Sequence, residues 1–126
     1  MKKIIVLIVV LYVLLGMSFA YGQSRNVTAT VYHAVAEQTN SDPGHTASMF
    51  KLDLSNPYKH KIIAVSRDLK SKFPFGSKVR ITGVGKYDGI YTVNDIMNKR
   101  WTDRIDILIN VDMKQGRWFN VKMVKI

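Results

Sequence analysis

The sequence predicts an all-β domain of six short strands with short helical turns between them, closed into a small barrel or folded as a sandwich. Three observations predict it. Short runs alternate β-branched or aromatic residues with polar ones, Gly, Pro, Asn and Asp punctuate the intervals, and no stretch of residues 23–126 sustains a helical period beyond a turn or two. Strands this short in so small a domain favour closure, which removes exposed sheet edges.

The first run, Val27-Thr28-Ala29-Thr30-Val31-Tyr32, alternates as a half-buried strand does. A polar loop rich in Asn, Ser, Asp, Pro and His follows from about Glu37 to His60, and loops of that length are functional or mobile. Lys61–Val65 reads as a short buried strand, and Arg67–Lys72 has room for one or two helical turns before Pro74 and Gly76 stop it. Lys78–Thr82 alternates cleanly, and Gly83 with Gly85 marks a turn. Gly89–Val93 and Arg104–Ile109 are the next strands. Asp112–Gln115 suggests a helical turn ended by Gly116, and Asn120–Ile126 alternates again as the last strand.

Residues 1–22 stand apart from this pattern. Met-Lys-Lys, an apolar run Ile4–Leu15 and small residues toward Gly22 read as a secretory signal peptide, with cleavage after Ala20 or Gly22. The alternative is an uncleaved anchor, since the uncharged stretch from Lys3 to Arg25 is long enough to span a bilayer. Residues 23–126 then form one domain, too short for two cores. The absence of cysteine excludes disulfides, thiolate metal sites, a cysteine nucleophile and a lipidated lipoprotein. An exported domain without disulfides suits a bacterial periplasm or envelope. Losing Lys2 and Lys3 lowers the formal charge from +10 to +8. That excess favours polyanionic partners. Export makes these envelope polymers rather than nucleic acid, although surface lysine also serves solubility alone.

Acidic residues are few, so their positions carry information. Asp95 ends the Gly89 strand, and Asp106 interrupts the apolar run Ile105-Asp106-Ile107-Leu108-Ile109. Alternation turns Ile105, Ile107 and Ile109 toward the core and leaves Asp106 with Arg104 and Leu108 on the other face, under the loop that joins the two aspartates. A carboxyl among apolar neighbours and near a second carboxyl has a raised pKa, as a general acid requires. The plainer reading pairs Asp106 with Arg104 or Arg100, or leaves it in water, and makes Asp95 a strand-end cap. His33, His45 and His60 lack metal-ligand spacing, no Gly-x-Ser-x-Gly elbow is present, and Gly83-Val84-Gly85 is a turn rather than a nucleotide fingerprint. No metal or cofactor is expected. Trp101, Trp118, Tyr58 and Tyr87 are able to stack on sugars, and Trp101, in the loop between the aspartates, is the one most expected at the surface.

These blocks resemble the three-aspartate (3D) domain family, which is similar to the double-psi β-barrels of the rare lipoprotein A (RlpA-like) group and of membrane-bound lytic transglycosylase A. The resemblance rests on Val27–Tyr32 followed by Thr39, Pro43 and Thr46-Ala47, on Ile63-Ala64-Val65-Ser66, on Phe75–Ile81, and on Gly89–Asp95 with Arg104-Ile105-Asp106-Ile107. The eleven-residue interval from Asp95 to Asp106 fits the family. Two departures stand out. Ser66 occupies the place of the family's first aspartate, and Ile96–Trp101 replaces a Gly-Gly-rich loop.

The resemblance implies a six-stranded double-psi β-barrel and cleavage of the β-1,4 bond between MurNAc and GlcNAc in peptidoglycan, leaving 1,6-anhydro ends. Carried over by position, Asp106 is the acid/base and Asp95 its neighbour; Tyr32, Thr46, Ser66, Arg100, Trp101 and Arg104 are the candidate substrate-binding residues. Arg100 and Lys99 either meet carboxylates of the stem peptides or remain solvated loop charge. The expected protein is a monomeric lytic transglycosylase acting on peptidoglycan glycan strands, without stable membrane insertion once the signal is cleaved. The rivals are a non-catalytic glycan-binding module using the same groove, which Ser66 favours, and a basic envelope protein with a protein partner.

Overall fold

The computed structural model describes residues 23–35 and 42–126, so the signal peptide expected at 1–22 and Thr39 lie outside the described residues. Six strands close into a barrel: β1 (Ser24–His33), β2 (Ile62–Val65), β3 (Lys78–Thr82), β4 (Gly89–Ile96), β5 (Arg104–Ile109) and β6 (Arg117–Lys125). Helical structure among the described residues is limited to 3-10 turns at Pro57–His60, Arg67–Leu69 and Gly85–Tyr87. None of these is long and apolar enough to cross a membrane.

The strands close in the order β1-β5-β2-β4-β3-β6. Two pairs are parallel, β1 with β5 and β2 with β4, and the other four are antiparallel. Exchanging β1, β2 and β3 with β4, β5 and β6 reproduces every pairing, so the barrel consists of two interlocked halves related by a pseudo-two-fold. This is the connectivity of a double-psi barrel, and closure leaves no free edge.

Alternation along each strand sorts side chains between the interior and the outer wall. Ile105, Ile107 and Ile109 of β5 join Ile63 and Val65 of β2, Val79 and Ile81 of β3 and Tyr91 and Val93 of β4 in the central core. A second, smaller cluster lies on the outer wall of β1, β5 and β2, where Tyr32, Ile62, Ala64 and Leu108 are covered by Leu52 and Met97 from two loops. That covered wall carries the candidate site.

Element boundaries differ from the sequence reading where tertiary pairing overrides local pattern. Strand β4 runs on to Ile96, so Asp95 is its penultimate residue. Strand β6 begins at Arg117, although Arg117-Trp118-Phe119-Asn120 does not alternate cleanly and Asn120 takes a left-handed φ of 54°. Asp112–Gln115 lies in an irregular connection rather than a helical turn, and the helical turn expected at Arg67–Lys72 shrinks to Arg67–Leu69. The glycine turn after β3 is as expected, with Gly83 at φ 99°, a conformation only glycine adopts without strain.

Ile107 is fully buried at the middle of β5, flanked in register by Val31 and Ile63. Ile107→Ala is expected to cost about 2–5 kcal/mol of unfolding free energy. Urea denaturation should show a lower midpoint at unchanged slope.

Candidate active site

A cleft of about 1030 Å³ opens on the outer wall between the loop that contains residues 42–49 and the connection from β4 to β5. Its floor is a row of five residues in register across five strands. Ala64 of β2 pairs with Asp95 of β4 on one side and Asp106 of β5 on the other. Beyond Asp106 comes Thr30 of β1, and beyond Thr30 comes Arg117 of β6. Both aspartates therefore flank the same alanine, about two strand spacings (~10 Å) apart at Cα.

Asp95 reaches this face through an irregularity. Val93 pairs with Ile63 inside the core, and simple alternation would send Asp95 inside as well. The register shifts by one residue between Ile63 and Ala64, so Asn94 is the extra residue and Asp95 turns outward beside Ala64. Bulges re-aim side chains in this way next to active sites. No spacing rule in the sequence signals the bulge.

The two carboxyl groups have different surroundings. Asp95 Oδ2 accepts a hydrogen bond from the Tyr32 hydroxyl at 2.8 Å. Its Oδ1 accepts from the Ala47 and Ile96 backbone N–H groups at 2.9 and 3.0 Å. Asp95 thus ties the wall, the bulge and the covering loop together. Burial and then Asp95 itself push the Tyr32 phenol well above the ordinary tyrosine range, so it stays a neutral donor. Asp106 accepts a single hydrogen bond, from Thr30 Oγ1 to Oδ1 at 2.9 Å, and Oδ2 has no partner among the described residues. Loss of solvation pushes its pKa up to about 6; the Thr30 bond and Arg104 oppose the rise, and Asp95 adds to it.

Arg104, two residues before Asp106 on the same face, lies 4.0 Å over the Trp101 ring, and Arg100 lies 4.9 Å from that ring. Burial, then Arg117 and Arg100, hold Arg104 below the ordinary arginine range, while Asp106 pulls the other way. Trp101, expected at the surface, is half-buried against the second cluster and partly covered by these guanidiniums. Among the described residues, no three His, Asp or Glu side chains converge in a way that would hold a metal ion.

The cleft brings together Asp95, Asp106, Tyr32, Thr46, Arg100, Trp101 and Arg104. Thr46 is buried, and its Oγ1 accepts from the Phe50 N–H, so it shapes the loop more than it meets a ligand. Ser66 is a correction. It is fully buried away from the cleft, and its Oγ accepts the Arg104 backbone N–H at 3.0 Å, which satisfies the first donor of β5. Lys99 is exposed and does not line the cleft.

No protein-family model and no curated protein matches the chain. The geometry of the site therefore carries the functional reading.

The sequence reading missed Thr30 and Arg117. Thr30 shares the alternation phase of Tyr32, a signal that was available; Arg117 gave none, because β6 is not recognisable that far back.

Asp106 also sets a pH dependence of stability. Its folded pKa lies above the unfolded value, so its contribution to stability is complete below about pH 4 and is lost as pH rises through about 6. Asp106→Asn is expected to be more stable than wild type at pH 8, by on the order of 2–3 kcal/mol at 1.4 kcal/mol per pKa unit. The gap should close toward pH 4, as read from urea midpoints at each pH.

Proposed function

We propose that this protein is a lytic transglycosylase of the bacterial envelope, cleaving the MurNAc–GlcNAc β-1,4 bond of peptidoglycan with Asp106 as the only proton carrier. The observation that carries the reading is the division between the two carboxyls. Asp106 is desolvated and raised to about 6 with one oxygen free, whereas Asp95 is committed to three hydrogen bonds. Ordinary glycosidases need a second carboxylate to activate water or to attack the sugar. A site with one desolvated, lightly bonded carboxyl, the remaining lining acid Asp42 being exposed beside His45, suits a reaction in which the substrate supplies its own nucleophile.

In that reaction the Asp106 carboxyl donates its proton to the glycosidic oxygen as the C1–O bond breaks. The C6 hydroxyl of the same MurNAc then attacks C1, and its proton passes to the Asp106 carboxylate. The acid is regenerated, no water is consumed, and the product carries a 1,6-anhydro ring. Asp95 acts as a positioning residue by holding the covering loop through Ala47 and the wall through Tyr32. The resemblance to the three-aspartate and RlpA-like barrels points to the same substrate, and Ser66 does not weaken it here, because Ser66 stands outside the cleft.

Digestion of purified sacculi, followed by mass spectrometry of the soluble products, tests this reading. Anhydro-muropeptides are expected, with kcat/KM falling tenfold per pH unit above about pH 6 as the acid form of Asp106 is lost. Asp106→Asn should lose about 10²–10⁴-fold in rate while staying folded. Reducing-end products would point instead to a water nucleophile. Retention on sacculi without any product would leave the glycan-binding module.

A further inference from the structure

Arg104 and Arg117 flank Asp106 on the cleft floor, and Arg100 reaches the same space from the loop. Arg104 lies about 7 Å along β5 from Asp106 at Cα, and Arg117 lies two strand spacings, about 10 Å, across β1. None of the three takes part in an ion pair among the described residues, where the ion pairs are Arg25–Asp103, His45–Asp42 and Lys59–Asp53. The Nε of Arg104 is buried with no hydrogen-bond acceptor among the described residues. A buried donor on a cation costs free energy unless something accepts from it. Gathering like charges adds to that cost.

Of the three aspartates that line the cleft, Asp42 pairs with His45. Asp95 is taken up by Tyr32, Ala47 and Ile96, and the one hydrogen bond that Asp106 accepts comes from Thr30. Trp101 holds Arg104 in place by its ring face without accepting from Nε. Three guanidiniums with unused donors around one cleft match a planar oxyanion, which accepts paired N–H groups from arginine.

We infer that Arg100, Arg104 and Arg117 form an anion subsite beside Asp106 that binds a carboxylate carried by the glycan substrate. The inference rests on the glycan-cleaving reading for the identity of the polymer, but not on cleavage itself. The carboxylate has two possible sources with the same chemistry, the lactyl group of MurNAc and the free carboxyls of a peptide amide-linked to it. Electrostatic capture at this point would also place the glycosidic oxygen next to the acid.

Binding is measured by calorimetry with Asp106→Asn, so that turnover does not interfere. The ligands are a GlcNAc–MurNAc tetrasaccharide with free lactyl carboxylates, the same tetrasaccharide bearing peptides, and neutral chitotetraose. At least one carboxylated ligand is expected to bind about tenfold or more tighter than chitotetraose, and the better of the two identifies the source. That preference should weaken with added salt and largely vanish when Arg104→Gln or Arg117→Gln is added. Arg117 is surface-exposed, so its variant keeps the test open if the Arg104 substitution disturbs β5. Equal affinity for charged and neutral ligands, or a preference that survives both substitutions, would overturn the subsite. A carboxylate preference in a protein whose wild type releases no anhydro product would sustain the subsite and remove the lyase reading. Cleavage without the preference would do the reverse.

Discussion

The register that places Asp106 between Ala64 and Thr30 is the constraint on which the rest of the site depends. It sets a carboxyl between two small neighbours and beside the apolar cluster of Tyr32, Ile62 and Leu108, and the loops that cover that cluster also withdraw water from Asp106. Ionisation is opposed by that loss of solvation, while the Thr30 hydroxyl fixes one oxygen and the second remains available. The alanine matters as much as the acid. A larger side chain at Ala64 would fill the space between Asp95 and Asp106 and divide the cleft.

Barrel symmetry explains how two aspartates share one wall without sharing one role. Under the exchange of halves, the Thr30–Asp106 pair of the β1/β5 ladder corresponds to the Asp95–Ala64 pair of the β4/β2 ladder. The two halves thus offer equivalent positions that the sequence fills differently. On one side a hydroxyl supports a lightly bonded acid. On the other, the bulge at Asn94 brings out an acid that is consumed in holding Tyr32, Ala47 and the strand end. Different environments assign different tasks to chemically identical groups.

Much of this was legible in the sequence. The isoleucine face of β5 requires Asp106 on the opposite face, and the clean alternation of Lys78–Thr82 and the glycine turn after it specify β3. Tyr32, Trp101, Arg100 and Arg104 line one cleft with the two aspartates. What was not legible depends on long-range register. The bulge that re-aims Asp95, the reach of β6 back to Arg117 and the capture of Ser66 by the Arg104 backbone are each set by a partner strand far away in sequence. Local pattern also placed Trp101 at the surface, because it cannot foresee a guanidinium lying over the ring.

The central claim is that burial on the barrel wall raises the pKa of the Asp106 carboxyl to about 6, so that its acid form persists at mildly acidic pH as a proton donor. Carbon-13 NMR titration of its side-chain carboxyl in the folded protein, assigned by comparison with Asp106→Asn, tests that claim most directly. The account predicts a midpoint near pH 6. A midpoint near the ordinary aspartate value of 3.8 would contradict it, and the acid would have to be sought elsewhere in the cleft.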